Sequence, residues 1–162
     1  MMDREPVGPV AFRHVLSRFA CGVTVLTTRD ADGRDRGMTL SAFSSLSLHP
    51  PLVLVCVGHD ATIAAAVTAA AHYGVSVLAE DQEALARQFA EPDADRFDGI
   101  GISRGALGVA LIDGALAHLE CRIVARHEGG DHTIVVGEVM AASARDGRPL
   151  VYHGGRYRQL GT

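Results

Sequence analysis

The chain's 162 residues are 48% hydrophobic, enough for one domain with a packed core and too apolar for a disordered segment. A formal net charge of -4 and a pI near 6.0 leave no clustered Lys and Arg face for nucleic-acid phosphates. The start, Met1-Met2-Asp3-Arg4-Glu5-Pro6, lacks the apolar core of a signal peptide. Internal apolar runs are too short to span a bilayer or carry polar residues such as Thr68 and His72. A single domain over 1–162 in the cytoplasm is expected. Cys21, Cys56 and Cys121 are odd in number and form no C-x-x-C, which fits reduced, buried thiols.

Residues 9–20 read as an amphipathic helix, with Phe12, Val15, Leu16 and Phe19 on one face and Gly22 close behind as a stop. Val23 to Thr28 is β-branched and reads as a strand. The polar run 29–37 reads as a hairpin turn. Residues 37–57 then alternate, bunch hydroxyls at Ser44-Ser45, meet Pro50-Pro51 and continue as Leu52-Val53-Leu54-Val55-Cys56-Val57. That pattern predicts a strand, a bend at Ser44-Ser45, and a strand buried on both faces. Its hydroxyls and bend amides suit a polar ligand, while an ordinary strand pair with hydroxyls in water is the plainer reading.

Asp60 is placed to cap an Ala-rich helix over 61–72, and 73–79 reads as a strand. Asp81 is placed to cap a further helix ending before Pro92. Glu80, Asp81, Glu83, Glu91, Asp93 and Asp95 look like a solvated face, without the spacing of a metal site. Arg96 beside Phe97 reads as a surface salt bridge, with a phosphate contact as the alternative. Residues 98–114 hold a Gly-x-Gly but no helix pattern after it, so a dinucleotide fingerprint is rejected in favour of a loop over a site. Residues 115–127 and 132–140 read as a long hairpin about Glu128-Gly129-Gly130-Asp131, and 149–153 with 156–160 as a short one. Many short strands without regular βα alternation predict a closed or split antiparallel barrel with peripheral helices. The eight histidines are scattered without metal spacing, and no nucleophile motif such as G-x-S-x-G occurs.

Three motifs, in this order, resemble the short-chain flavin reductase family, the reductase partners of two-component flavin monooxygenases. The first is Gly37-Met38-Thr39-Leu40-Ser41-Ala42-Phe43-Ser44-Ser45-Leu46-Ser47 with Pro50-Pro51-Leu52-Val53. The second is Gly130-Asp131-His132. The third is Pro149-Leu150-Val151-Tyr152 with Gly155-Arg156-Tyr157. The resemblance implies a mainly β (α+β) fold, an antiparallel split β-barrel with peripheral helices. It implies a homodimer that binds FMN or FAD, oxidises NADH or NADPH, and supplies reduced flavin to a partner monooxygenase. NADH is preferred, because no Arg cluster marks a 2′-phosphate site.

By the same resemblance, Met38, Thr39, Leu40, Ser41, Ala42 and Phe43 hold the flavin ring edge and ribityl chain. Ser44 and Ser45 lie near the chain's polar groups. Cys56, Val57, Gly58 and Thr62, with the next helix start, approach the phosphate. His132 takes the nicotinamide side, and Arg156 and Tyr157 close the pocket. No residue is expected as an acid or base, because hydride transfer is the cofactors' own reaction and backbone N–H groups can steady the charge. The loop Gly58-His59-Asp60-Ala61-Thr62 departs from the family's basic, hydroxyl-rich run, and Ile63 stands where a Thr is common. A flavin-binding electron carrier without reductase activity is the second reading. A barrel serving dimerisation or another ligand such as heme is the third.

Overall fold

The computed structural model describes residues 5–92 and 96–161. The charged start before Glu5, and Asp93 and Asp95 of the acidic face, lie outside the described residues. The helices are α1 (Pro9–Leu16), α2 (Ala64–Ala69) and α3 (Glu83–Ala90). The strands are β1 (Cys21–Gly22), β2 (Thr24–Arg29), β3 (Asp35–Leu40), β4 (Phe43–Ser47), β5 (Leu52–Gly58), β6 (His72–Val77), β7 (Ile102–Arg104), β8 (Ala110–Ile112), β9 (Ala117–Gly129), β10 (His132–Ala144), β11 (Leu150–His153) and β12 (Arg156–Gln159).

Seven strands form one antiparallel sheet in the order β3-β2-β6-β9-β10-β5-β4. Its two edges, β3 and β4, are consecutive in the chain and joined only by Ser41 and Ala42. The sheet therefore curls until its edges lie one short connection apart, although no ladder pairs β3 with β4. Leu26, Val55, Val57, Tyr73, Val75 and Cys121 fill the inside of the curl. The chain has no Trp, so aliphatic side chains around the one buried aromatic ring, that of Tyr73, fill this space.

A second core lies on the outer face, where Val23, Val25, Leu78, Phe89, Ile112 and Leu150 pack under α3 and the β11–β12 hairpin. Gly37 lets α3 sit directly on β3, since a Cβ there would fall 2.6 Å from Phe89 Cε1. Phe89 is fully buried as a result, which stabilises the domain by about 2–3 kcal/mol. A three-stranded sheet, β1-β11-β12, completes this side.

Several boundaries differ from the sequence reading. The bend of the central stretch falls at Ser41-Ala42, where the Phe43 amide donates to Ser41 O at 2.9 Å, and not at Ser44-Ser45. Those two serines lie within β4 and pair with Leu54 and Val53. The ladder with β5 outweighs the hydroxyl bunching. β5 is buried on one face only, with Val53, Val55 and Val57 inside and Leu54 and Cys56 half-buried. α2 starts at Ala64 and not after Asp60, because 59–63 is taken up by turns that bond Ala61 to Gly58 O and Ala64 to Ala61 O. His72 belongs to β6. Gln82, not Asp81, precedes α3, and its amide oxygen accepts from Ala79 N instead of capping the helix.

Part of 98–114 is a hairpin, β7–β8, and not an open loop. Buried Thr27 donates to Ala110 O at 2.5 Å and Ser76 accepts from Ile112 N at 3.0 Å, which fastens β8 to the sheet. Buried Glu120 grips the connection by accepting from the amides of Ala106 (3.0 Å) and Leu107 (2.7 Å). No helix among the described residues is long and apolar enough to cross a membrane.

Candidate functional site

The connection between β3 and β4 is the centre of the site. Ser41 and Ala42 lie outside both flanking ladders, and both residues are exposed. Among the described residues, neither amide N–H has a hydrogen-bond acceptor, so two adjacent donors are left unpaired at an exposed bend. Beside them lies a pocket of about 200 Å³ lined by Val23, Thr39, Leu40, Ser41, Tyr152 and Tyr157. No carboxylate lines it. Thr39 donates its hydroxyl to Ala86 O of α3 at 2.7 Å, so this side chain ties the pocket wall to the helix. The Tyr157 ring meets Tyr152 edge-on at 5.5 Å and lies under the Arg87 guanidinium at 4.9 Å. Burial raises the Tyr157 phenol pKa, with Arg87 opposing. Arg156 is exposed one residue away, opposite His153 in the ladder.

From the same connection a polar strip runs along the sheet end. Cys56 N donates to Ala42 O at 3.0 Å, and Gly58 lies two residues further along β5, about 7 Å at the strand rise. Gly58 pairs with His132, the first residue of β10. Strand alternation puts Cys56, Gly58 and His132 on one face. The His132 ring reaches across Gly58, so a Cβ on that glycine would lie 3.6 Å from Nε2. Its Nδ1 pairs with Asp131 Oδ1 at 2.6 Å. The hydrogen bond and charge of His132 hold the Asp131 carboxyl below its ordinary 3.8.

A lowered carboxyl pKa contributes stability that is present above the ordinary value and is lost as pH falls through the lower, folded one. Carboxyl-carbon NMR of Asp131 is therefore expected to titrate below 3.8 in the wild type. In His132→Ala it rises toward that value. An unchanged midpoint would mean that the ion pair does not persist in solution.

The structure thus divides the candidate residues. Thr39, Leu40, Ser41 and Tyr157 meet in one pocket. Ala42, Cys56, Gly58 and His132 form the strip. Met38 and Phe43 pack against the inner core, and Val57 is buried in it. Ser44 and Ser45 are exposed on the edge strand, with Ser44 Oγ turned to Ser45 O. Thr62 lies apart, in a groove of about 650 Å³ with Arg34, Arg36, Gly37 and Arg96. Among the described residues, Arg96 donates to Gly37 O (2.6 Å) and Glu91 O (2.8 Å) and pairs with no carboxylate, where the sequence reading expects a surface salt bridge. Sequence reasoning passed over Val23, Tyr152 and Asp131 as lining or orienting residues. Tyr152 and Asp131 were within reach of it, since both stand inside motifs that were read.

These residues fit a flavin. Apolar Val23 and Leu40 and two tyrosines suit a ring system, free amides at Ser41 and Ala42 suit its carbonyl edge, and no carboxylate opposes the charge of its reduced form.

A sheet curled about this strip defines a class, and residues 16–161 match the model of the Flavin reductase like domain; the chain belongs to that family. It is 45% identical over 164 residues to the NADH-dependent FAD reductase of Streptomyces globisporus, covering 96% of this chain and 88% of the relative. It is 42% identical over 153 residues to the reductase component of the 4-nitrophenol 4-monooxygenase/4-nitrocatechol 2-monooxygenase of Rhodococcus opacus, covering 94% and 82%. Among solved structures, the Streptomyces globisporus C-1027 NADH:FAD oxidoreductase in complex with NAD and FAD fragments superposes with a TM-score of 0.90. That protein is 44% identical, and 98% of each chain is covered.

Proposed function

We propose that the protein is an NADH-dependent flavin reductase that passes reduced flavin to a partner monooxygenase. The observation that carries this reading is the pair of free amides at Ser41 and Ala42, set between the Tyr157 pocket and the His132 end of the strip. Relatives named as NADH-dependent reductases of FAD or FMN support the donor and the acceptor. FAD and FMN both remain within the proposal.

A bound flavin supplies the hydride-accepting ring, and the chain's own residues hold and shield it. The Ser41 and Ala42 amides donate to the ring's carbonyl edge, where charge grows during reduction. Val23, Leu40, Tyr152 and Tyr157 cover ring surface and keep water from it. His132 orients the nicotinamide from the other end of the strip, with Asp131 fixing the imidazole. No acid or base is required for the hydride step, because holding the two rings in reach of each other converts a bimolecular encounter into a unimolecular step. Purified protein is expected to oxidise NADH only when FAD or FMN is present, followed by NADH absorbance. Flavin binding without NADH oxidation would instead identify a carrier.

The curled sheet is read as a split barrel, and the protein as a cytoplasmic homodimer. α1 supports the dimer. It buries none of its residues, and Val10 (83%), Phe12 (55%), Val15 (65%) and Phe19 (71%) stand exposed on it or just after it. A single chain rarely leaves such a face to water. Sedimentation is expected to give a dimer for the wild type and a monomer for Phe12→Glu/Phe19→Glu. A wild-type monomer would reject this assembly.

A further inference from the structure

We infer that Arg87 of α3 is a positioning residue for the flavin ring, one that holds Tyr157 as a wall of the small pocket without touching the ligand itself. This rests on the reductase reading above and adds to it a residue outside the pocket. Arg87 does not line the pocket, whereas Ala90, one turn further along α3, does. The Arg87 guanidinium lies over the Tyr157 ring, 4.9 Å from its centroid, within reach of a cation–π contact. The ring depends on such support. β12 is an edge strand, paired with β11 alone. Tyr157 stands opposite Tyr152 in that ladder and meets it edge-on at 5.5 Å. Tyr152 therefore sets an edge of the ring, and Arg87 sets a face.

Arg87 is itself fixed. Glu83, one turn earlier on α3, accepts from its Nε at 3.0 Å and from its Nη2 at 2.6 Å. Two bonds from one guanidinium set its plane. The helix that carries both residues is anchored beside the same pocket, because Thr39 donates to Ala86 O, one residue before Arg87. The contacts thus run from Glu83 through Arg87 to the face of Tyr157.

What reaches the pocket is the orientation of a ring and not a charge. Glu83 neutralises Arg87, and the guanidinium touches the pocket only through Tyr157. A planar guanidinium stacks on an aromatic face, whereas a lysine ammonium keeps the charge and loses the plane. The setting of the ring matters because the pocket is small. It measures about 200 Å³, below the ~300 Å³ at which small-molecule sites begin, so a tyrosine turned inward would close it.

The probe is riboflavin, which has the ring system and no phosphate, and its binding is followed by its own fluorescence. Arg87→Ala is expected to weaken binding about fivefold, the size of a surface cation–π contact. Arg87→Lys is expected to weaken it nearly as much. In a Tyr157→Leu background, Arg87→Ala is expected to change affinity by less than about twofold, since no ring is left to hold. A role confined to helix stability would lower the melting temperature of Arg87→Ala and leave riboflavin affinity unmoved, and that result overturns the inference. So does wild-type affinity in Arg87→Lys, which would show that the pocket feels the charge. A fivefold effect that persists in Tyr157→Leu overturns it as well, since Arg87 would then act by another route. NADH oxidation with added flavin judges the reductase reading separately. Turnover by wild type with unmoved riboflavin affinity in Arg87→Ala leaves that reading standing. Riboflavin binding without turnover rejects it and leaves Arg87 to be decided by the affinities, while a wild type that binds no riboflavin overturns the role of Arg87 outright.

Discussion

His132→Ala is expected to lower kcat/KM for NADH by about 10- to 100-fold, or ~1.4–2.7 kcal/mol of transition-state binding, while flavin affinity stays within about twofold. The size follows from where the ring sits. His132 lies on the strip's far end from Tyr157, across Gly58, and its Nδ1 is held by Asp131 at 2.6 Å. In the neutral ring that bond places the proton on Nδ1 and leaves Nε2 as an acceptor. Such a group orients a carboxamide or ring; it does not exchange protons with the reacting carbon. Its loss should cost geometry, and geometry is what sets the rate of hydride transfer between two bound rings. His132→Asn keeps a short polar group and is expected to fall between the two. Asp131→Ala is expected to raise KM for NADH more than it lowers kcat. Unchanged NADH kinetics in His132→Ala would move the nicotinamide to another part of the strip.

The elements that the sequence made legible are those whose pattern and punctuation agree. β2 is a β-branched run, the β9–β10 and β11–β12 hairpins set extended segments about Gly turns, and all three stand close to where the sequence reading puts them. α2 was overextended because alanine favours helix everywhere and marks no end. The tight turns after Gly58 consumed the first three residues of the reading. β7–β8 was missed because its strands have three residues each, too few to show a period. They hold through Thr27, Ser76 and Glu120, whose bonds to this segment span 13 to 83 residues of chain. α1 shows the converse. Its period was plain, yet its apolar face has no cover within the chain.

The site divides in the same way. The central stretch carries its own signal, because Thr39, Leu40 and Ser41 are neighbours in sequence and in the pocket. Arg96 does not. It reaches Gly37 across 59 positions, and nothing beside it in sequence announces that contact. The free amides at Ser41 and Ala42 were invisible for another reason: the bend was placed three residues too late. Side-chain hydroxyls drew attention to Ser44-Ser45, while the backbone turned where two strand edges had to meet.

Gly137→Ala is expected to destabilise the domain by about 3 kcal/mol, toward the upper end of overpacking costs. The melting temperature should fall by about 6–12 °C, at ~2–4 °C per kcal/mol for a domain of this size. Gly137 lies in β10 at a register shift opposite Ile123. A Cβ there would overlap the Tyr73 hydroxyl and come within 2.7 Å of Tyr73 Cζ and 2.8 Å of Cys121 Cβ. Neither neighbour can withdraw, since Tyr73 and Cys121 are both fully buried in the inner core. Among the described residues the Tyr73 hydroxyl meets no partner at hydrogen-bond geometry and has only the weakly polar Cys121 thiol beside it, so Tyr73→Phe alone should be neutral or stabilising. In Gly137→Ala/Tyr73→Phe about 1 kcal/mol should return, because the worst overlap is with the oxygen while that with the ring remains. Strict additivity of the two changes would show that β10 relaxes away from Tyr73 instead. A pH series gives an independent check on the same packing. Burial raises the Tyr73 phenol and pushes the Cys121 thiol from 9.0 up to about 11. Both stay protonated in the folded state after they would ionise in the unfolded one. Their contribution is complete below the ordinary values and is lost as pH rises, for the thiol between 9.0 and about 11. Stability measured by denaturant should therefore drop across that window in the wild type, and less steeply in Cys121→Ala.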